Sequence, residues 1–140
     1  MEAKFLTGGD ESLYVQLGDE ISLEVNGRVK SLMQKLEADP VDGIAEMVPT
    51  YATLMIHYKP EKILYGQLVE EVKKRLDAGG EEKEEVSQIV KVLPICYDKE
   101  FAWDLEECAS FEKVSVEEFI RMHSEHEYYA YMLGVAPGHA

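Results

Sequence analysis

Twice before residue 80 the hydrophobic pattern of this chain alternates with a period of two and then shifts to a period of about 3.6. Each shift converts a pair of half-buried strands into a helix with one apolar stripe. Phe5 and Leu6 run into the turn signal Gly8-Gly9-Asp10, after which Leu13, Val15 and Leu17 alternate with polar or aromatic neighbours. Gly18-Asp19 ends that strand. Ser22 then stands where a helix cap belongs, and Val25, Val29, Leu32, Met33 and Leu36 recur at spacings of three and four until Asp39-Pro40 stops the helix. The plan repeats. Residues 44–51 predict a strand whose Pro49 belongs at an edge or a bulge, and Leu54, Ile56 and Tyr58 predict its neighbour. Lys59-Pro60-Glu61 leads into a helix with the stripe Leu64, Leu68, Val72 and Leu76, closed by Gly79-Gly80.

The rest of the chain is less regular. The charge run 81–85 predicts a solvated turn, and the β-branched stretch 87–97 predicts a further strand ending near Pro94. Asp104 with Glu107, and Ser115 with Glu118, have the spacing of capping boxes, so a short helix is expected after each. The second carries Phe119, Ile120 and His123. Residues 128–133 predict a strand and 134–138 a loop. The fold class that follows is α+β: a two-layer α/β sandwich with a β-β-α-β-β-α core and a mainly antiparallel sheet, then a strand, two short helices and a strand. With both helices on one face, the other face of the sheet is left to solvent, a partner or another domain.

Charge narrows the partners. Acids outnumber bases 28 to 14, for a formal net charge of −14, which excludes surfaces that recognise nucleic-acid backbones or anionic lipid through clustered Lys and Arg. No apolar run approaches the ~20 residues of a membrane span, and no apolar stretch follows Met1-Glu2-Ala3-Lys4 as a secretory signal requires. Cys96 and Cys108 lie outside any CxxC arrangement and are expected as free thiols of a cytoplasmic protein. Cys96 is expected to be packed inside its strand and Cys108 to be structural.

The densest chemistry lies in His123-Ser124-Glu125-His126-Glu127. On a continuous helix His123 and Glu127 would share a face, yet no third ligand has recognisable spacing, so no metal is expected. Imidazole is the side chain whose ordinary titration lies nearest neutrality, which suits His123 to carry protons. Glu100 and Asp104 sit in a loop with Phe101 and Trp103, where paired carboxylates in unlike surroundings divide acid from base work. The sequence has no GxxxxGK[ST] loop, no GxGxxG after a strand and no GxSxG elbow, so no recognised device for a nucleotide phosphate or a serine nucleophile is present.

Several motifs resemble one family. Gly18-Asp19-Glu20-Ile21-Ser22 with Val25-Asn26-Gly27-Arg28-Val29 is similar to the opening of the KipI and allophanate hydrolase subunit 1 family, whose bacterial members include the B subunit of 5-oxoprolinase. The stretches 43–51 and 54–60 resemble its next two strands. Pro94-Ile95-Cys96-Tyr97, Glu100-Phe101 and Asp104-Leu105 resemble its central signature. His123, Glu127-Tyr128, Tyr131-Met132-Leu133-Gly134 and Ala136-Pro137-Gly138 resemble the signature that joins its two domains. The resemblance implies that residues 1–140 are the family's N-terminal domain, without the cyclophilin-like barrel that follows it. It implies one of two roles. The first is work within a hetero-oligomeric complex that opens 5-oxoproline to glutamate at the expense of ATP, with the nucleotide handled by other subunits and no cofactor bound by this domain. The second is inhibition of a sensor histidine kinase, as in the KipI branch. His123 and Glu100 would then be catalytic, with Tyr97, Phe101, Asp104, Tyr131, Pro137 and Gly138 lining a substrate pocket or subunit face. The chain departs from the family pattern at Asp98-Lys99, usually Gly-Gly, and at Ala102-Trp103, usually Gly-Pro; Val135 and His139 stand where the family carries aromatic residues.

Overall fold

Four strands pair in the order β1-β2-β4-β3, every neighbour antiparallel, in a computed structural model that describes residues 2–77 and 89–134. The strands are β1 (Lys4–Thr7), β2 (Ser12–Gln16), β3 (Ile44–Pro49) and β4 (Thr53–Tyr58), with helices α1 (Leu23–Ala38) and α2 (Tyr65–Asp77) between and after the hairpins. The β-β-α-β-β-α core and the α+β class expected from the periodicity are therefore present. Two further helices, α3 (Leu105–Glu112) and α4 (Val116–Glu125), follow. The chain divides into two compact units: Met1–Val86 with Ala130–Ala140, and Ser87–Tyr129.

In the first unit, register sorts the side chains. Leu13 opposes Ile56 and Val15 opposes Leu54, so these alternate positions share one face. They are buried with Val29, Leu32 and Leu36 of α1 and Leu68, Val69 and Val72 of α2 in one core. The opposite face carries the row Leu6, Tyr14, Met55 and Val48, one residue from each strand. β3 is an edge strand, which is why Pro49 is tolerated as its last residue. Gly43 leads into it with φ +107°, and a Cβ there would lie 2.5 Å from Ile63 Cγ2, so only glycine fits.

Helix ends follow the caps. Ser22 Oγ accepts from the Val25 N–H at 3.2 Å and begins α1 as the sequence predicts. α2 begins differently from expectation. Leu64 is exposed just before it, and Ile63 joins the core in its place. The Leu64 N–H donates instead to Gln67 Oε1 at 3.1 Å, the return half of a capping box. The close of α2 at Gly79-Gly80 and the charge run 81–85 lie outside the described residues.

In the second unit, Ser115 Oγ accepts from the Glu118 N–H at 3.2 Å and caps α4, as its spacing predicts. Asp104 does not do the same for α3. Its backbone sits at φ −98°, ψ 1°, away from the extended cap conformation, and its carboxylate makes no cap hydrogen bond. The two strands expected outside the core are absent from the described residues of 87–97 and from 128–133. Ile89, Val90, Val92, Leu93 and Ile95 are exposed, and strand propensity without a pairing partner does not make a strand. Cys96, expected to be packed, is exposed for the same reason, while Cys108 is half-buried on α3. No helix among the described residues is long and apolar enough to cross a membrane.

Candidate functional site

α4 places His123 one turn after Phe119, and the two rings lie nearly parallel with centroids 6.5 Å apart. Tyr97, from the segment ahead of α3, brings its hydroxyl to His123 Nδ1 at 2.6 Å, ring edge against ring, with centroids at 5.8 Å and an interplanar angle of 88°. Tyr128 follows the helix and tilts against the imidazole at 5.7 Å, and its other contact is the His126 ring at 4.8 Å. His123 and Tyr97 are both half-buried. The arrangement is an imidazole held by one phenolic hydrogen bond among three aromatic rings, in a helix whose outer surface is braced by ion pairs. Arg121 reaches Glu118 at 2.6 Å and Glu125 at 3.0 Å. Its hydrogen bond, reinforced by charge, holds the Glu118 carboxyl below its ordinary 4.5, and the two carboxylates push the Arg121 guanidinium upward.

The other expected site residues are distributed unevenly. Glu100 is exposed in the turn after Tyr97, where its N–H donates to Asp98 Oδ1 at 3.2 Å. Phe101 is exposed beside it, its N–H donating to the Asp98 carbonyl at 2.9 Å. Asp104 stands at the start of α3 with its carboxylate 4.0 Å from the Cys108 thiol. The helix stops at Glu125, so His123 and Glu127 do not share a helical face. Among the described residues no group of three or more His, Cys, Asp or Glu is placed to hold a metal ion. Pro137 and Gly138 lie outside the described residues.

Tyr131 belongs to the first unit, and a residue to which its motif gives no site role holds it there. Asn26, fully buried on α1, donates its side-chain amide to the carbonyls of Thr50 at 3.0 Å, Tyr51 at 3.3 Å and Tyr131 at 3.2 Å. The Tyr131 ring meets Tyr51 edge-on at 6.4 Å. Asn26 lies within Val25-Asn26-Gly27-Arg28-Val29, and a polar residue on the buried stripe of an amphipathic helix is the available signal. Tyr128 stands in a family signature and in an expected strand, neither of which gives it a site role. Its spacing from His123 crosses the end of α4, where helical periodicity says nothing.

Residues 3–140 match the family model described as carboxyltransferase domain, subdomain C and D. The chain is 34% identical over 140 residues to the 5-oxoprolinase B subunit of Bacillus subtilis, covering 93% of this chain and 58% of that protein. The chain thus spans little more than half the length of that curated relative. Among solved structures, TTHA0988 superposes with a TM-score of 0.73 at 31% identity, over 91% of this chain and 24% of that one. The N-terminal domain of the histidine kinase inhibitor KipI from Bacillus subtilis superposes with a TM-score of 0.50 at 23% identity, over 62% of this chain and 95% of that one, a likeness of fold alone.

Proposed function

Since the chain belongs to the family of carboxyltransferase domains, subdomains C and D, the family that its signatures indicate, we propose that it works as part of a protein like the B subunit of 5-oxoprolinase. In this reading it is one member of a multisubunit, cytoplasmic complex that hydrolyses 5-oxoproline to glutamate while ATP is hydrolysed to ADP and phosphate by other subunits. The observation that carries the reading to particular residues is the 2.6 Å hydrogen bond between Tyr97 and His123, which joins two separate family signatures at one point. The kinase-inhibitor alternative shares the family resemblance, and the likeness to the KipI N-terminal domain adds only one of fold.

The chemistry asked of the complex is lactam opening. Water adds to the ring carbonyl, the C–N bond breaks, and the ring nitrogen takes a proton. Acid or base assistance at such a step contributes about 10²–10⁴-fold. His123, oriented by Tyr97 and flanked by Phe119 and Tyr128, is the group among the described residues that we assign to it. Glu100, Phe101 and Trp103, exposed in the same unit, offer surface to substrate or a neighbouring subunit. The test mixes the full-length parent protein with its partner subunits and measures ATP-dependent glutamate release, with omission of the parent protein as control. Turnover that requires it supports the reading. Equal turnover without it, with the partners folded and associated, overturns it.

A further inference from the structure

The hydrogen bond at His123 fixes more than the position of a ring. A neutral imidazole has one protonated and one bare nitrogen, and the partner of one nitrogen decides the state of the other. Here the partner of Nδ1 is a phenolic hydroxyl at 2.6 Å. A phenol is a far better proton donor than a neutral imidazole N–H, and a bare imidazole nitrogen is a better acceptor than a phenolic oxygen. The favoured arrangement is therefore O–H donating to Nδ1. The proton of the neutral ring then resides on Nε2.

We infer that Tyr97 is a positioning residue that holds His123 in the Nε2–H tautomer, so that the pair delivers a proton to the substrate and does not withdraw one. This rests on the placement of the proposed chemistry at His123. The step balances within the pair. The Nε2–H bond breaks as the proton passes to the departing lactam nitrogen, the phenolic proton moves to Nδ1, and the negative charge ends on the Tyr97 oxygen. The tautomer has changed and no co-reactant is consumed. Two consequences follow. The group that activates water lies elsewhere in the complex, and Tyr97 matters through its hydroxyl and not only through its ring. The rings of Phe119 and Tyr128 flank the imidazole at centroid distances of 6.5 and 5.7 Å.

The tautomer is read by nitrogen NMR on the chain labelled with ¹⁵N at histidine, at a pH of about 9 where imidazoles are neutral. His123→Gln identifies the His123 signals. The expected spectrum shows His123 with a bare Nδ1 and a protonated Nε2, and a ratio of Nε2–H to Nδ1–H at least tenfold higher than in Tyr97→Phe, which keeps the ring and loses the donor. A protonated Nδ1 in the parent chain overturns the inference, as does an unchanged ratio in Tyr97→Phe. If Tyr97→Phe does not fold, the parent spectrum decides alone, with a detectable Nδ1–H population counting against the lock. No substrate or partner subunit enters the measurement, so a failed reconstitution and a wrong tautomer are told apart.

Discussion

Asn26 offers the sharpest test of how the first unit is held together. Its side chain is fully buried, and both amide protons are spread over the carbonyls of Thr50, Tyr51 and Tyr131 at 3.0, 3.3 and 3.2 Å. Asn26→Ala removes the donor and leaves these acceptors facing a small void. Two protons satisfy at most two carbonyls fully, and each of these part-buried acceptors deprived of its donor costs about 1–2 kcal/mol. The expected loss is therefore about 2–4 kcal/mol, a large share of the ~5–15 kcal/mol that domains possess. In urea that lowers the midpoint by roughly 1–3 M at an ordinary m-value. The only tryptophan, Trp103, is exposed in the other unit, so its fluorescence is the wrong probe. Amide signals of β2 and β4, followed by NMR through the urea transition, are the right one. A loss below about 0.5 kcal/mol would mean that water replaces the amide without penalty and that the three carbonyls are not held as described.

Other expectations concern the second unit. Ser115→Ala removes a cap hydrogen bond and should cost α4 about 1 kcal/mol, whereas Asp104→Ala should cost α3 only a few tenths, because Asp104 makes no such bond. Equal losses by urea denaturation would contradict the cap geometry. Glu118 is depressed below 4.5 by the Arg121 hydrogen bond, so its stabilising contribution is present above that value and fades as pH falls through the depressed one. The stability gap between the parent chain and Arg121→Gln should thus be constant near neutrality and close below about pH 4.5. Both partners are exposed, so the gap is small, and one that widens in acid would contradict the depressed Glu118.

The core is legible in the sequence because its signal is local and repeated. Leu13 and Val15 alternate as a half-buried strand must, Val25 to Leu36 recur as a helix stripe must, and Pro49 announces its own edge position. Where expectation and structure part, the missing information is non-local. Residues 89–97 have the composition of a strand, but pairing depends on a free neighbouring edge that composition does not reveal. Asp104 has the spacing of a capping box, yet its backbone angles decide whether the carboxylate reaches. The site is legible in part. His123 stands out by residue type and Tyr97 by signature, but their hydrogen bond spans 26 positions and crosses α3, beyond any periodicity. Tyr131 joins them only by its place in a signature, and the structure instead ties its carbonyl to Asn26.

The measurement that bears most directly on the role of His123 is turnover of the complete complex carrying His123→Gln, with assembly confirmed for the variant. Gln preserves size and polarity and removes the transferable proton. ATP-dependent glutamate release should fall ~100-fold or more with the complex intact. Turnover equal to that of the unaltered complex would remove His123 from the chemistry, and with it the role assigned to the Tyr97 hydrogen bond.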